Sequence, residues 1–116
     1  MVLEPSMILP GKDCRPKATP EQVAAATVNV LECVVPAAVP GICFPSGGQR
    51  LEEATANLNP MNVQFPLVAR CRIPPSQAWA ARMDNRPAAQ QAFCLRAKMN
   101  GFAHNGRWNA ALGTSA

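Results

Sequence analysis

Apolar positions fall into groups whose spacing alternates between strand and helix. Met1 to Leu9 is a short apolar stretch with prolines at Pro5 and Pro10 and a single charge, Glu4. It reads as the end of a strand that runs into the polar loop Gly11 to Ala18. Thr19-Pro20-Glu21-Gln22 then opens a helix. Thr19 caps, Pro20 suits the first helical position, Glu21 suits the positive end of the dipole, and Gln22 completes a capping box. Val23, Thr27, Val30, Leu31 and Val34 follow at helical spacing and form one apolar stripe. Pro36 stops it.

Ala37 to Phe44 is a short apolar run bounded by prolines, which suits a strand buried on both faces of a parallel sheet. It leads through Ser46-Gly47-Gly48-Gln49 into a second helix, with Leu51, Ala54, Thr55 and Leu58 on one face and Glu52 and Glu53 outside. Asn57, Asn59, Pro60 and Asn62 are expected to break that helix. Pro66 to Arg72 is a third, weaker strand, ended by Pro74 and Pro75. In the last third Asp84 or Asn85 caps, Pro87 lies in the first turn, and Ala88, Ala92, Leu95, Met99 and Phe102 make a helical stripe. Gly113 to Ala116 is expected to fray. The order predicts an α/β fold of parallel βα units in one domain.

Composition trims the choices. The chain has 116 residues, 48% of them apolar, 16% charged, and 12 prolines. No apolar run approaches the ~18 residues that cross a bilayer. No ordered signal-peptide pattern occurs, so a cytoplasmic location is expected. The five cysteines, Cys14, Cys33, Cys43, Cys71 and Cys94, form no CxxC pair, and His104 is the only histidine. That argues against a structural metal and for reduced thiols, most of them expected as small buried groups.

The net charge of +4 is uneven. Residues 1–69 hold four basic and six acidic groups; residues 70–116 hold seven basic groups and only Asp84. Arg82, Arg86, Arg96, Lys98 and Arg107 are scattered, with no aromatic interleaving to stack on bases, so a solvated face is favoured over nucleic-acid binding. An anionic small ligand is the alternative use of that charge.

The candidate chemistry sits at strand ends. Ser46-Gly47-Gly48 lies between a strand and a helix, where glycines let backbone N–H groups approach an anion and the helix N-terminus adds a favourable field. A plain βα turn is the competing reading. Arg72, at the end of the next strand, would offer a guanidinium to the same anion. In a closed (β/α) barrel the loops after the seventh and eighth strands commonly make such a phosphate site. Glu4 reads as a strand-end residue turned to water, and His104 as a surface residue. Glu52 and Glu53 point apart and make a poor acid/base pair.

These residues also carry a family resemblance. MVLEPSMILPGK, KATPEQVAAATVNVL, VPAAVPGICFPSGGQRLEEATANLN and RPAAQQAFCLRAKMNG followed by GRW resemble the C-terminal third of class I fructose-bisphosphate aldolase. The stretch around SGGQ, EEAT and NLN is the most specific. The resemblance implies a partial (β/α)₈ barrel, its last three βα units with a long C-terminal helix, spanning residues 1–116. It implies a metal-free, cofactor-free lyase of glycolysis that splits fructose 1,6-bisphosphate into dihydroxyacetone phosphate and glyceraldehyde 3-phosphate. In that family a lysine forms a Schiff base with the ketone, and the iminium acts as electron sink.

Carried over by position, the family's LKPSM or LKPNM strand appears here as Leu3-Glu4-Pro5-Ser6-Met7. Glu4 thus stands at the Schiff-base lysine, and a carboxylate has no amine with which to form an imine. Ser46, Gly47 and Gly48 match the family's phosphate loop, preceded here by Pro45 in place of leucine. Arg72 is the match for its phosphate-binding arginine, in a segment that has lost the family's YGRALQ pattern. The first five βα units have no counterpart, which leaves sheet edges unpaired and favours self-association or a homo-oligomer. Three readings stand: an aldolase by ancestry, a non-catalytic remnant that still binds a sugar phosphate through Ser46, Gly47, Gly48 and Arg72, and a structural fragment without a ligand.

Overall fold

The first helix begins where the capping box places it. In a computed structural model that describes residues 1–45, 47–64, 69–71, 80 and 82–114 (backbone path alone for 69–71 and 113–114), α1 spans Pro20–Val34. The Thr19 hydroxyl accepts from Gln22 N at 3.3 Å, and the Gln22 side chain accepts from Thr19 N at 2.9 Å. α1 buries Val23, Ala24, Thr27, Val28 and Leu31. Val30 and Val34, expected in the stripe, are instead 44% and 68% exposed. The buried arc is centred nearer Ala24 and Val28, so Val30 falls at its edge, and Val34 is the last helical residue.

β1, Ile42–Phe44, is narrower than the apolar run that predicted it. β2 is Ala69–Cys71, the described part of the expected third strand. The two pair in parallel, Ile42 with Ala69 and Phe44 with Cys71. The expected first strand is a single parallel bridge, Leu3 to Ile42, made by Leu3 N to Gly41 O (3.1 Å) and Cys43 N to Leu3 O (2.9 Å). Thr27 ties the following segment down. It accepts from Ile8 N at 3.0 Å and donates to Val23 O at 2.7 Å, a buried hydroxyl serving two backbone groups.

α2 spans Leu51–Gln64 and runs through Pro60, which was expected to end it. Proline removes one helical N–H, here the one that Ala56 O would accept, and crowds the preceding turn. Burial of Leu58, Pro60 and Met61 outweighs that cost. The asparagines expected to break the helix are used instead. Asn62 Nδ2 donates to Leu58 O and Ala103 O, both at 3.3 Å, and Asn59 Oδ1 accepts from Trp108 N at 2.9 Å.

α3, Arg86–His104, is the longest helix among the described residues, at 19 residues. It buries Ala89, Met99 and Ala103; Ala88 is exposed and Ala92, Leu95 and Phe102 are half-buried. Its end is a Schellman turn, with Gly106 N on Ala103 O (3.0 Å) and Arg107 N on Phe102 O (2.8 Å). Gly106 has φ +64°, and a Cβ there would stand 2.7 Å from Val63 Cγ2 of α2.

The core gathers Met7, Val23, Ala24, Val28, Leu31, Ile42, Phe44, Leu58, Met61 and Ala103. It is sandwiched between one face of the strands and the helices, with α1 beside α2 and α2 beside α3. The cysteines contribute little to it: Cys14, Cys33 and Cys94 are exposed and Cys43 is half-buried. The expectation of mostly buried thiols is corrected, because three of the four lie on loop or outer helix positions. Among the described residues no helix is long and apolar enough to cross a membrane.

Candidate functional site

Parallel strands deliver their following residues to one end of a sheet, where ligands of α/β folds gather. Leu3 lies level with Ile42, so Glu4 lies level with Cys43 and Pro5 with Phe44. Side chains alternate across a strand. Ile42 and Phe44, 5% and 0% exposed, face the helices, and Leu3 packs against the same core. Glu4 and Cys43 therefore occupy the opposite face. Glu4 is exposed and Cys43 half-buried, so no described helix covers them.

The glycine segment leaves β1 at the same end. Gly47 and Gly48 have φ +56° and +83°, both in the left-handed region that favours glycine. Both are exposed. Among the described residues a Cβ on Gly48 would meet nothing within 4 Å, so there the backbone angle is what calls for glycine. Ser46 and Arg72 lie outside the described residues. Of the expected site, the structure thus places Glu4, Gly47 and Gly48 at the strand-end side of the molecule.

Polar residues hold this end together, in roles that their local spacing does not show. Asn57, expected as a helix breaker, is 3% exposed, and its Nδ2 donates to Gln49 Oε1 at 2.7 Å. Gln49 Nε2 points to Met7 Sδ at 3.6 Å. Arg96, expected on a solvated face, has a side chain only 13% exposed. It reaches from α3 into the first turn of α2, where Nη2 donates to Leu51 O at 2.5 Å and to the Thr55 hydroxyl, and Nη1 stands 3.6 Å from Glu52 Oε1. Thr55, fully buried, places its hydroxyl 2.8 Å from Asn100 Oδ1. Arg82, Arg86, Lys98 and Arg107 are exposed, as expected.

A family model described as "Fructose-bisphosphate aldolase class-I" matches residues 1–116. The chain belongs to the class-I fructose-bisphosphate aldolase family. It is 46% identical to fructose-bisphosphate aldolase B of Gallus gallus over 92% of its own length and 32% of the relative's. It is 42% identical to the chloroplastic fructose-bisphosphate aldolase of Oryza sativa subsp. japonica over 95% of this chain and 30% of that one. Among solved structures, the aldolase of Plasmodium falciparum, crystallised with TRAP and a small-molecule inhibitor, superposes with a TM-score of 0.83. That match has 32% identity and covers 94% of this chain and 34% of the other. The chain thus spans about a third of the aldolases it matches. The EEAT and NLN pieces that carry the family resemblance now have physical roles: Glu52 and Thr55 receive Arg96, and Asn57 holds Gln49.

Proposed function

We propose that residues 1–116 are one aldolase-type barrel segment that binds the phosphate of a sugar phosphate but does not form the family's Schiff base. The carrying observation is Glu4. Its position on the strand face away from the core suits a residue that would meet substrate inside a barrel, and its carboxylate offers no nitrogen to a ketone. The left-handed backbone at Gly47 and Gly48, ahead of a 14-residue helix, supports the anion-binding half of the reading. Ser46 and Arg72 complete the phosphate contacts in this proposal. The free thiols Cys14, Cys33, Cys43 and Cys94 suit a reducing, cytoplasmic setting.

The test treats the purified chain with dihydroxyacetone phosphate and borohydride and measures intact mass. The wild-type chain is expected to give no adduct and no cleavage of fructose 1,6-bisphosphate. Cleavage that disappears in Glu4→Gln would overturn the proposal. Glu4→Lys asks whether the surrounding site still supports an imine. In parallel, phosphate titration should weaken about tenfold in Arg72→Ala, on the scale of one lost charge-assisted hydrogen bond. An equal, weak response in both proteins would leave only the ligand-free structural reading.

A further inference from the structure

The glycine segment needs an explanation for its order. Two consecutive residues in left-handed backbone are the least restrained part of a chain, since glycine loses the most conformational freedom on folding. Gly47 and Gly48 are exposed, and among the described residues no side chain comes within 4 Å of a Cβ placed on Gly48. Something must hold them in one conformation if they are to present amides to an anion.

Gln49 is placed to do so. Its side chain folds back toward the segment that precedes it, so that a Cβ on Gly47 would lie 4.0 Å from Gln49 Nε2. The carbonyl end accepts from Asn57 Nδ2 at 2.7 Å, a buried amide on the second turn of α2. The amide end points at the sulfur of Met7 at 3.6 Å. Met7 is 5% exposed and follows Glu4 by three positions. One side chain thus joins three separate pieces: the loop, the body of the helix behind it, and the segment that carries Glu4. The N–H···S contact is weak, whereas the amide–amide bond is short and its Asn57 end is shielded from water, where such bonds hold best.

We propose that Gln49 is the positioning residue of the glycine loop, fixing Gly47 and Gly48 through its bond to Asn57 and registering the loop against the Glu4 segment through Met7. The proposal rests on the phosphate-loop reading for its purpose, though not for its geometry. Gln49 touches no substrate in this account; it acts through the two glycines.

The experiment is 1H–15N spectroscopy of the full chain with glycine-selective labelling. In wild type, Gly47 and Gly48 should give single, dispersed amide signals. In Gln49→Ala both should collapse toward random-coil positions, while far-UV circular dichroism stays near wild type and the urea midpoint falls only by the cost of leaving the buried Asn57 amide without its partner. Gln49→Glu keeps an oxygen for Asn57 and loses the donor to Met7, and should retain native-like glycine signals. Native-like signals in Gln49→Ala, or equal collapse in Gln49→Glu, would overturn the proposal. Titration with inorganic phosphate is a separate arm. Wild-type glycine signals should move, with affinity about tenfold weaker in Gln49→Ala. Wild-type signals that ignore phosphate would defeat the phosphate-loop reading alone, because the positioning role is read from the spectra before any phosphate is added.

Discussion

Thr55 shows how a single buried hydroxyl sets a local structure. It accepts from Arg96, lies 2.8 Å from Asn100 Oδ1, and is fully shielded. Replacing it with a shape-matched apolar group strands its partners. Thr55→Val should lower stability by about 1–3 kcal/mol, the cost of unsatisfied buried polar groups, as read from the urea midpoint. Thr55 was legible as a core position because it falls on the apolar stripe. Its partners were not, because Arg96 and Asn100 are more than forty residues away and nothing local distinguishes a buried arginine from a solvated one. Asn57 departs from its expected role as a helix breaker for a similar reason. Asparagine disfavours helix interiors by bonding nearby backbone, but here its amide is engaged by Gln49, which removes that competition.

At the level of elements, signals that act within one or two turns were readable and those that act across the fold were not. The start of α1 lay open in Thr19-Pro20-Glu21-Gln22, since both capping bonds connect residues three apart. α2 runs past Pro60 because the proline penalty is local while the burial that overcomes it comes from neighbouring elements. The end of α3 carries its own signal in Gly106, whose φ of +64° closes the Schellman turn against Val63. Gly106→Ala should cost at least about 1–2 kcal/mol, the penalty of a left-handed Cβ, with the clash added. Thermal unfolding of the variant would check it, and an unchanged midpoint would mean that the turn opens without consequence. The hydrogen bonds between helices also give their direction. Leu51 and Thr55 meet Arg96 and Asn100, while Asn62 meets Ala103, so α2 and α3 run parallel, as consecutive βα units require.

For the whole molecule the two faces of the strands are unequal. One is sealed by helices around Phe44; the other carries Glu4 and Cys43 without a described helix over it. Phe44→Ala should cost about 3–5 kcal/mol, a large share of the ~5–15 kcal/mol typical of a domain. Cys43→Ser, one residue away on the other face, should stay within about 0.5 kcal/mol of wild type. Paired urea titrations would show the contrast, and equal losses would place both residues in one core. Family membership was legible from motif pieces spread along nearly the whole chain. The strand lengths were not, since flanking apolar residues such as Ala37 and Val39 look like strand while only Ile42–Phe44 pairs.

The parallel run of α2 and α3 has a mechanical consequence. Arg96 and Asn100 stand level with the first turn of α2, yet α3 begins at Arg86, so about 10–15 Å of it projects past its neighbour at 1.5 Å per residue. Ala89 is buried within that overhang, so it stands as a packed buttress on the side where Gly47 and Gly48 lie.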